Sequence, residues 1–198
     1  MTVWSVPEED VAADVHMATG ARYAARTVAL VGFMGAGKSS VGRQLAHVLG
    51  RPFLDTDSMV ERAAGRLIPD IFAEDEAIFR RFEEEAVSQA LASPPCVVAL
   101  GGGSFERPAN YRPLLAQALV VHIHVPWKVL REQLPSLVRG RPVISDLTVS
   151  EIHDLYLRRC AGYRRAHLRL SVPRTSVEDA VGVIAQVLGT LPPQAVQD

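Results

Sequence analysis

Val28-Ala-Leu-Val-Gly-Phe-Met-Gly-Ala-Gly-Lys-Ser-Ser40 carries an apolar, β-rich run directly into Gly32-x-x-x-x-Gly37-Lys38-Ser39. This spacing is that of a phosphate-binding loop. Its glycines let backbone N–H groups turn inward around a polyphosphate, Lys38 reaches the terminal phosphates, and Ser39 offers a hydroxyl to Mg²⁺. Val41, Leu45, Val48 and Leu49 then recur at helical spacing, which predicts a helix over 40–49 whose positive N-terminal end faces the anion. A glycine-rich turn that only capped a helix would not require Lys38. Strand, loop and helix together predict an ATP- or GTP-type site.

Outward from this loop, short apolar runs alternate with helical patterns, the signature of a parallel sheet with helices on both faces. Five strands are expected, at Thr27–Val31, Phe53–Leu54, Val97–Leu100, Leu119–Val125 and Leu168–Val172. Ligands in such sheets gather beyond the carboxyl ends of the strands. The residues following each strand are therefore the informative ones. They are the phosphate loop after the first, Asp55-Thr56-Asp57 after the second and Gly101-Gly102-Gly103 after the third. Beyond the fourth lie Pro126 and a helix leading to Arg139-Gly140-Arg141-Pro142.

The chain has 198 residues, 48% hydrophobic and 22% charged, which suits one domain with a substantial core. We divide it into an N-terminal extension outside the core (1–25), a P-loop domain (26–190) and a C-terminal tail (191–198). A net charge of -1 supplies no global basic field for nucleic acid or an anionic membrane. No apolar run reaches membrane-spanning length, and the acidic start of the chain is not a secretion signal. Cys96 and Cys160 have neither metal-ligand nor disulfide-framework spacing. A monomer in the cytoplasm is expected.

Asp55 and Asp57 stand two apart at a strand exit, where both carboxylates project to the same side. One is suited to a metal's water shell and the other to the proton of an acceptor hydroxyl; alternatively Asp57 or Ser58 caps a helix starting near Met59. The three glycines at 101–103 expose backbone N–H groups to a small substrate. A continuous helical pattern from about Asp70 to Ala92 contains Phe79-Arg80-Arg81-Phe82-Glu83. Arg80 and Glu83 share a helix face, so a salt bridge would fix the guanidinium. His122 and His124 read as half-buried sheet residues, and Trp127, Met34 and Phe33 as packing residues, with Phe33, inside the loop, also a candidate lining of the acceptor pocket. Ser176 and Asp179 form a capping pair for a helix over 177–188.

Taken in order, Gly32-Phe-Met-Gly-Ala-Gly-Lys-Ser-Ser-Val-Gly42, Asp55-x-Asp57, Phe79-Arg80-x-x-Glu83, Gly101-Gly-Gly103, Arg141-Pro142 and Arg159-x-x-x-Tyr163 resemble the shikimate kinase family. The likeness runs from about Thr27 to Leu188. It implies a nucleoside-monophosphate-kinase fold, with five parallel strands in order 2-3-1-4-5, a helical substrate-binding segment and a lid. It also implies ATP and shikimate as substrates. Gly35, Ala36, Gly37, Lys38, Ser39, Ser40, Arg141 and Arg174 would contact ATP. Ser39 would hold Mg²⁺ directly and Asp55 through water. Asp57, Arg80, Glu83, Gly101, Gly102, Gly103 and Arg159 would bind the acceptor. Lys38, Asp57 and Arg141 would carry the catalytic chemistry.

The chain also departs from the family pattern. Glu74-Asp75-Glu76 stands, one residue shorter, where a Gly-Glu pair is usual, Leu134 replaces a lid arginine, and Ala161 replaces a proline, which leaves Arg158 as an alternative to Arg159. A kinase of amino-shikimate, another cyclitol or a sugar acid such as gluconate, and a non-catalytic nucleotide-binding regulator, are the competing expectations.

Overall fold

The strand Thr27–Val31 (β1) is buried along its whole length, because it is the middle strand of five and has helices over both faces. The computed structural model describes residues 23–138, 143–171 and 176–189. β1 pairs in parallel with Val97–Ala99 (β3) on one side and Ala118–His124 (β4) on the other. Phe53–Asp55 (β2) and Leu168–Ser171 (β5) complete the sheet in the order β2-β3-β1-β4-β5, all parallel. This is the order implied by the family resemblance. Strand limits differ from expectation by about one residue, and Val172 lies outside the described residues.

Alternation along the central strands sorts their apolar side chains onto two cores. Val28, Leu30, Leu119, Val121 and Ile123 face one layer. It is formed by Lys38–Leu49 (α1), Val149–Tyr163 (α7) and Val177–Val187 (α8). Ala29, Val31, Val98 and Val120 face the other, together with Val87 and Ala90 of Glu76–Ala92 (α4) and Leu114 of Pro108–Gln117 (α5). A fully buried side chain of the size of Leu30 or Ile123 contributes about 1.5–3 kcal/mol. Burial on both faces explains why these strands read as unbroken apolar runs. Trp127–Leu137 (α6) follows β4.

Beyond the sheet, Thr56–Ala64 (α2), Ile68–Glu74 (α3) and the start of α4 pack around Val60, Ile71 and Phe79. The continuous helix expected over 70–92 is therefore two helices. Asp75 is extended (φ -164°, ψ 123°) and serves at once as the last cap of α3 and the first of α4, its carboxylate accepting the Ala77 N–H at 2.8 Å. A short acidic side chain that bonds its own local backbone competes with helix continuation. The Phe72 and Phe79 rings meet across this corner, with centroids 4.6 Å apart.

Residues 1–22 and 190–198 lie outside the described residues. The end of the expected extension belongs to the core: Tyr23 is buried, and Arg51 donates to the carbonyls of Ala24 and Arg26. The Ser176–Asp179 capping pair forms as expected, ahead of α8. Trp127 packs against His153, with ring centroids 4.6 Å apart. His124 is half-buried, but His122 is fully buried against the Tyr163 ring, because it sits in the middle of β4 under the second core.

Burial pushes His122 down to about 3 and His124 to about 4 from the ordinary 6.5, with the cationic Arg169 acting in the same direction on both. Both are neutral in the fold and protonated in the unfolded chain between those values. Their contribution is thus complete above pH 6.5 and is lost as pH falls toward the folded values, by about 1.4 kcal/mol per pH unit for each group. Urea unfolding of His122→Gln between pH 7 and 5 is expected to show a shallower loss of stability than the unsubstituted chain; parallel curves would contradict this account.

Candidate active site

The cleft lies at the carboxyl ends of β1, β2 and β3 and encloses about 520 Å³. Its floor begins where β1 must turn past β4. Gly32 has φ 153°, and a Cβ there would stand 2.4 Å from the Ile123 carbonyl oxygen, so no side chain fits. Gly37 (φ 82°) precedes α1 without any side-chain cap. The first N–H groups of that helix have no acceptor within it and face the cleft with its partial positive charge. Gly35, Gly37, Lys38, Ser39 and Ser40 line the cleft. Ala36 is buried in the core, and its N–H closes the loop onto the Phe33 carbonyl at 3.2 Å. Lys38 Nζ donates to the carbonyls of Gly32 (2.9 Å) and Phe33 (3.1 Å), which holds the ammonium at the neck of the loop.

The two aspartates after β2 have separate tasks. Ser39 Oγ donates to Asp55 Oδ2 at 2.8 Å, while Asp55 Oδ1 accepts the N–H groups of Asp57 (3.1 Å) and Ser58 (3.4 Å). Asp55, not Asp57 or Ser58, is therefore the cap of α2, which starts at Thr56 instead of near Met59. Asp57 is thus not the cap, and it lines the cleft. Between the two, the buried Thr56 accepts the Gly101 N–H at 2.9 Å and fastens the glycine loop to β2. A Cβ on Gly101 would fall 2.6 Å from Asp57 Oδ1 and 3.2 Å from Glu83 Oε1.

The opposite wall carries two guanidiniums. Arg80 donates through Nη1 to Glu83 (3.0 Å) and through Nε and Nη2 to Glu76 (3.0 and 2.8 Å). The Glu83 side chain is only 2% exposed. Burial raises its carboxyl above the usual range despite the opposing Arg80 charge, and the Asp57 charge adds to the rise. Arg159 is 3% exposed and Arg158 is on the surface, so the helix register brings Arg159 into the cleft. A Cβ on Gly103 would be 3.1 Å from Arg159 Nη2 and 3.3 Å from Arg80 Nη1, and one on Gly102 would be 3.0 Å from Arg159 Nη1. Larger residues there would push both arginines aside. Tyr163 donates its buried hydroxyl to the Gly102 carbonyl and fixes the loop from behind.

Among the described residues, Arg159 Nη1 is a buried donor with no acceptor. Phe33 does not line the cleft; it is buried beneath the Arg159 guanidinium, with Met34 lining instead. Arg141 and Arg174 lie outside the described residues. Glu76, Glu106 and the apolar lining from Phe72 and Ile68 were not singled out from sequence. Only Glu76, four residues before Arg80, had a local signal.

A parallel sheet with a phosphate loop after its central strand, a paired-aspartate turn beside it and a helical acceptor wall defines a P-loop small-molecule kinase. The shikimate kinase family profile matches residues 34–189. The shikimate kinase of Geobacillus thermodenitrificans is 34% identical, over 81% of this chain and 87% of its own. That of Symbiobacterium thermophilum is 39% identical, over 81% and 95%. The solved shikimate kinase from Acinetobacter baumannii in complex with shikimate superimposes with a TM-score of 0.77 at 32% identity, covering 84% of this chain and 94% of that one. The chain belongs to the shikimate kinase family.

Two of the loop's three positive-φ glycines, Gly32 and Gly37, separate two effects. Gly32→Ala meets a backbone oxygen and is expected to cost about 3 kcal/mol or more. Gly37→Ala has open space and pays only for its left-handed backbone, about 1–2 kcal/mol. Urea midpoints of the two variants give this ranking, and equal losses would refute the close-approach argument.

Proposed function

We propose that this chain transfers the γ-phosphate of ATP to the 3-hydroxyl of shikimate. The observation that carries the reading is the pair Arg80 and Arg159 converging on Gly102 and Gly103, with Arg159 Nη1 buried and unpaired among the described residues. An unmet buried donor costs about 1–3 kcal/mol, more when charged, and an acceptor's carboxylate offsets that cost. Shikimate offers one carboxylate on a hydroxylated ring. The complex of the Acinetobacter relative with shikimate supports the same choice.

With the carboxylate held at that wall, the ring extends toward Asp57 and the glycine loop. Asp57 accepts the proton of the attacking hydroxyl, and the amides of Gly102 and Gly103 meet the other hydroxyls, with Gly101 tied to Thr56 beside Asp57. Glu83 steadies Arg80. On the nucleotide side, Lys38 and the amides of Gly35, Gly37, Ser39 and Ser40 neutralise the phosphates. The family resemblance assigns Arg141 to the transferred group and Arg174 to the adenine; both lie outside the described residues. Phosphoryl transfer asks for positioning and charge neutralisation, which this set supplies without a covalent intermediate.

The Ser39 hydroxyl and Asp55 carboxylate, 2.8 Å apart beside the loop, are the hard oxygen donors that suit Mg²⁺. Ser39 would hold the ion directly and Asp55 through water, and the ion supplies charge neutralisation on the β and γ phosphates. The same reading takes the chain as a cytoplasmic monomer that needs neither nucleic acid nor membrane. A net charge of -1 gives no global basic field for nucleic acid, and among the described residues no helix is long and apolar enough to cross a membrane.

ADP release from ATP and Mg²⁺, with and without shikimate, tests the proposal. Shikimate-dependent ADP is expected, and its absence with ATP still bound would sink the acceptor assignment. Lys38→Ala should lower turnover at least about a hundredfold. Asp57→Asn should cut kcat by about 10²–10⁴-fold while ATP binding persists, and full activity in that variant would remove the base role.

A further inference from the structure

Arg159 and Arg80 are held in different ways. Glu76 and Glu83 take contacts along the whole guanidinium of Arg80, from Nε to both Nη atoms. Among the described residues Arg159 meets a single carboxylate: its Nε donates to Glu106 Oε2 at 3.2 Å. Glu106 ends the short 3-10 turn Ser104–Glu106 that directly follows the three glycines. Two anchors place that turn. Both of its ends are bonded to the glycine loop, the Ser104 N–H to the Gly101 carbonyl and the Glu106 N–H to the Gly103 carbonyl, each at 3.1 Å. Just beyond it, Arg107 is paired with Glu84 of α4 at 2.9 Å. On α7, Gly162 lies one turn beyond Arg159 and packs beside the glutamate stem: a Cβ there would be 4.0 Å from Glu106 Cγ, an ordinary van der Waals contact.

We propose that Glu106 is a positioning residue for the acceptor, acting through Arg159. A guanidinium is planar, so a bond at Nε fixes the direction of its outer edge. With Glu106 on Nε, Nη1 and Nη2 are aimed over Gly102 and Gly103, and Nη1 is left for an incoming carboxylate. The same short segment thus supplies both the bare backbone that the acceptor approaches and the carboxylate that orients its receiving arginine. Arg80, already engaged by two glutamates, serves as the second wall. Charge works in the same direction: Glu106 neutralises a cation that is 3% exposed without occupying its outer edge.

This inference rests on the proposed acceptor, and its test separates the two. Steady-state kinetics with varied shikimate compare the unsubstituted chain with Glu106→Ala, Glu106→Gln, Arg159→Lys and the double variant Glu106→Ala/Arg159→Lys. Glu106→Ala is expected to raise the shikimate KM roughly tenfold, about 1.4 kcal/mol, with kcat and the ATP KM within about twofold. Glu106→Gln, whose amide oxygen still accepts from Nε, should recover most of that loss. In the Arg159→Lys background, which has no Nε–H to orient, Glu106→Ala should add less than about a further twofold. An unchanged shikimate KM, an equal rise in the ATP KM, or fully multiplicative effects would overturn the proposal. The Nε–H of Arg159, followed by NMR hydrogen exchange, reads the clamp without any acceptor. Protection lost in Glu106→Ala and retained in Glu106→Gln supports it, and protection unchanged in Glu106→Ala refutes it. An unsubstituted chain inert toward shikimate would count against the acceptor alone.

Discussion

The close passage of Gly32 beneath the Ile123 carbonyl is the constraint on which the cleft depends. It lets the central strand leave the sheet beside its neighbour and turn at once into the loop around Lys38. A side chain at that point would force β1 and β4 apart, and those strands carry the inner faces of both cores. The ammonium of Lys38, the open N-terminus of α1 and the Ser39–Asp55 bond all take their positions from this turn. Packing and phosphate chemistry therefore share one requirement, the absence of a Cβ.

At the acceptor wall the governing quantity is charge in a confined space. Two guanidiniums, from Arg80 and Arg159, are surrounded by Glu76, Glu83, Glu106 and Asp57. Buried ions are tolerated when they are paired and hydrogen-bonded. Glu83 is the most deeply buried of these carboxylates, and its raised pKa records the cost of placing it there. The three glycines permit this crowding, since the atom nearest to a Cβ on each belongs to a charged side chain, Asp57 at Gly101 and Arg159 at Gly102 and Gly103, with Arg80 next at Gly103. The glycine run is as much a clearance for arginines as an approach for substrate.

Much of this was legible in the sequence, because the signals were local. The phosphate loop, the two aspartates, the strand sequence and the Arg80–Glu83 pair each depend on residues within a few positions of one another. What escaped depended on competition or distance. The helix over 70–92 broke because Asp75 bonded its own backbone, which periodicity does not register. The cap moved to Asp55 because one carboxylate can serve Ser39 and two N–H groups together. Glu106 meets Arg159 across 53 positions and had no sequence signal at all. The choice between Arg158 and Arg159 turned on helix phase, which only packing of α7 against the sheet could set.

The corner at Asp75 has a mechanical side. A single residue joins α3 to α4, and one residue has only two soft torsions. The corner is further stiffened by the contact of Phe72 with Phe79. Phe72, Ile68 and Pro69 line the cleft from α3, and Arg80 lines it from the first turns of α4. With so little slack between them, a tilt of α3 is transmitted to the arginine instead of being absorbed in a linker. Contact with the apolar body of a ligand and the grip on its charged end are thus joined by a stiff lever, so the two contacts form together.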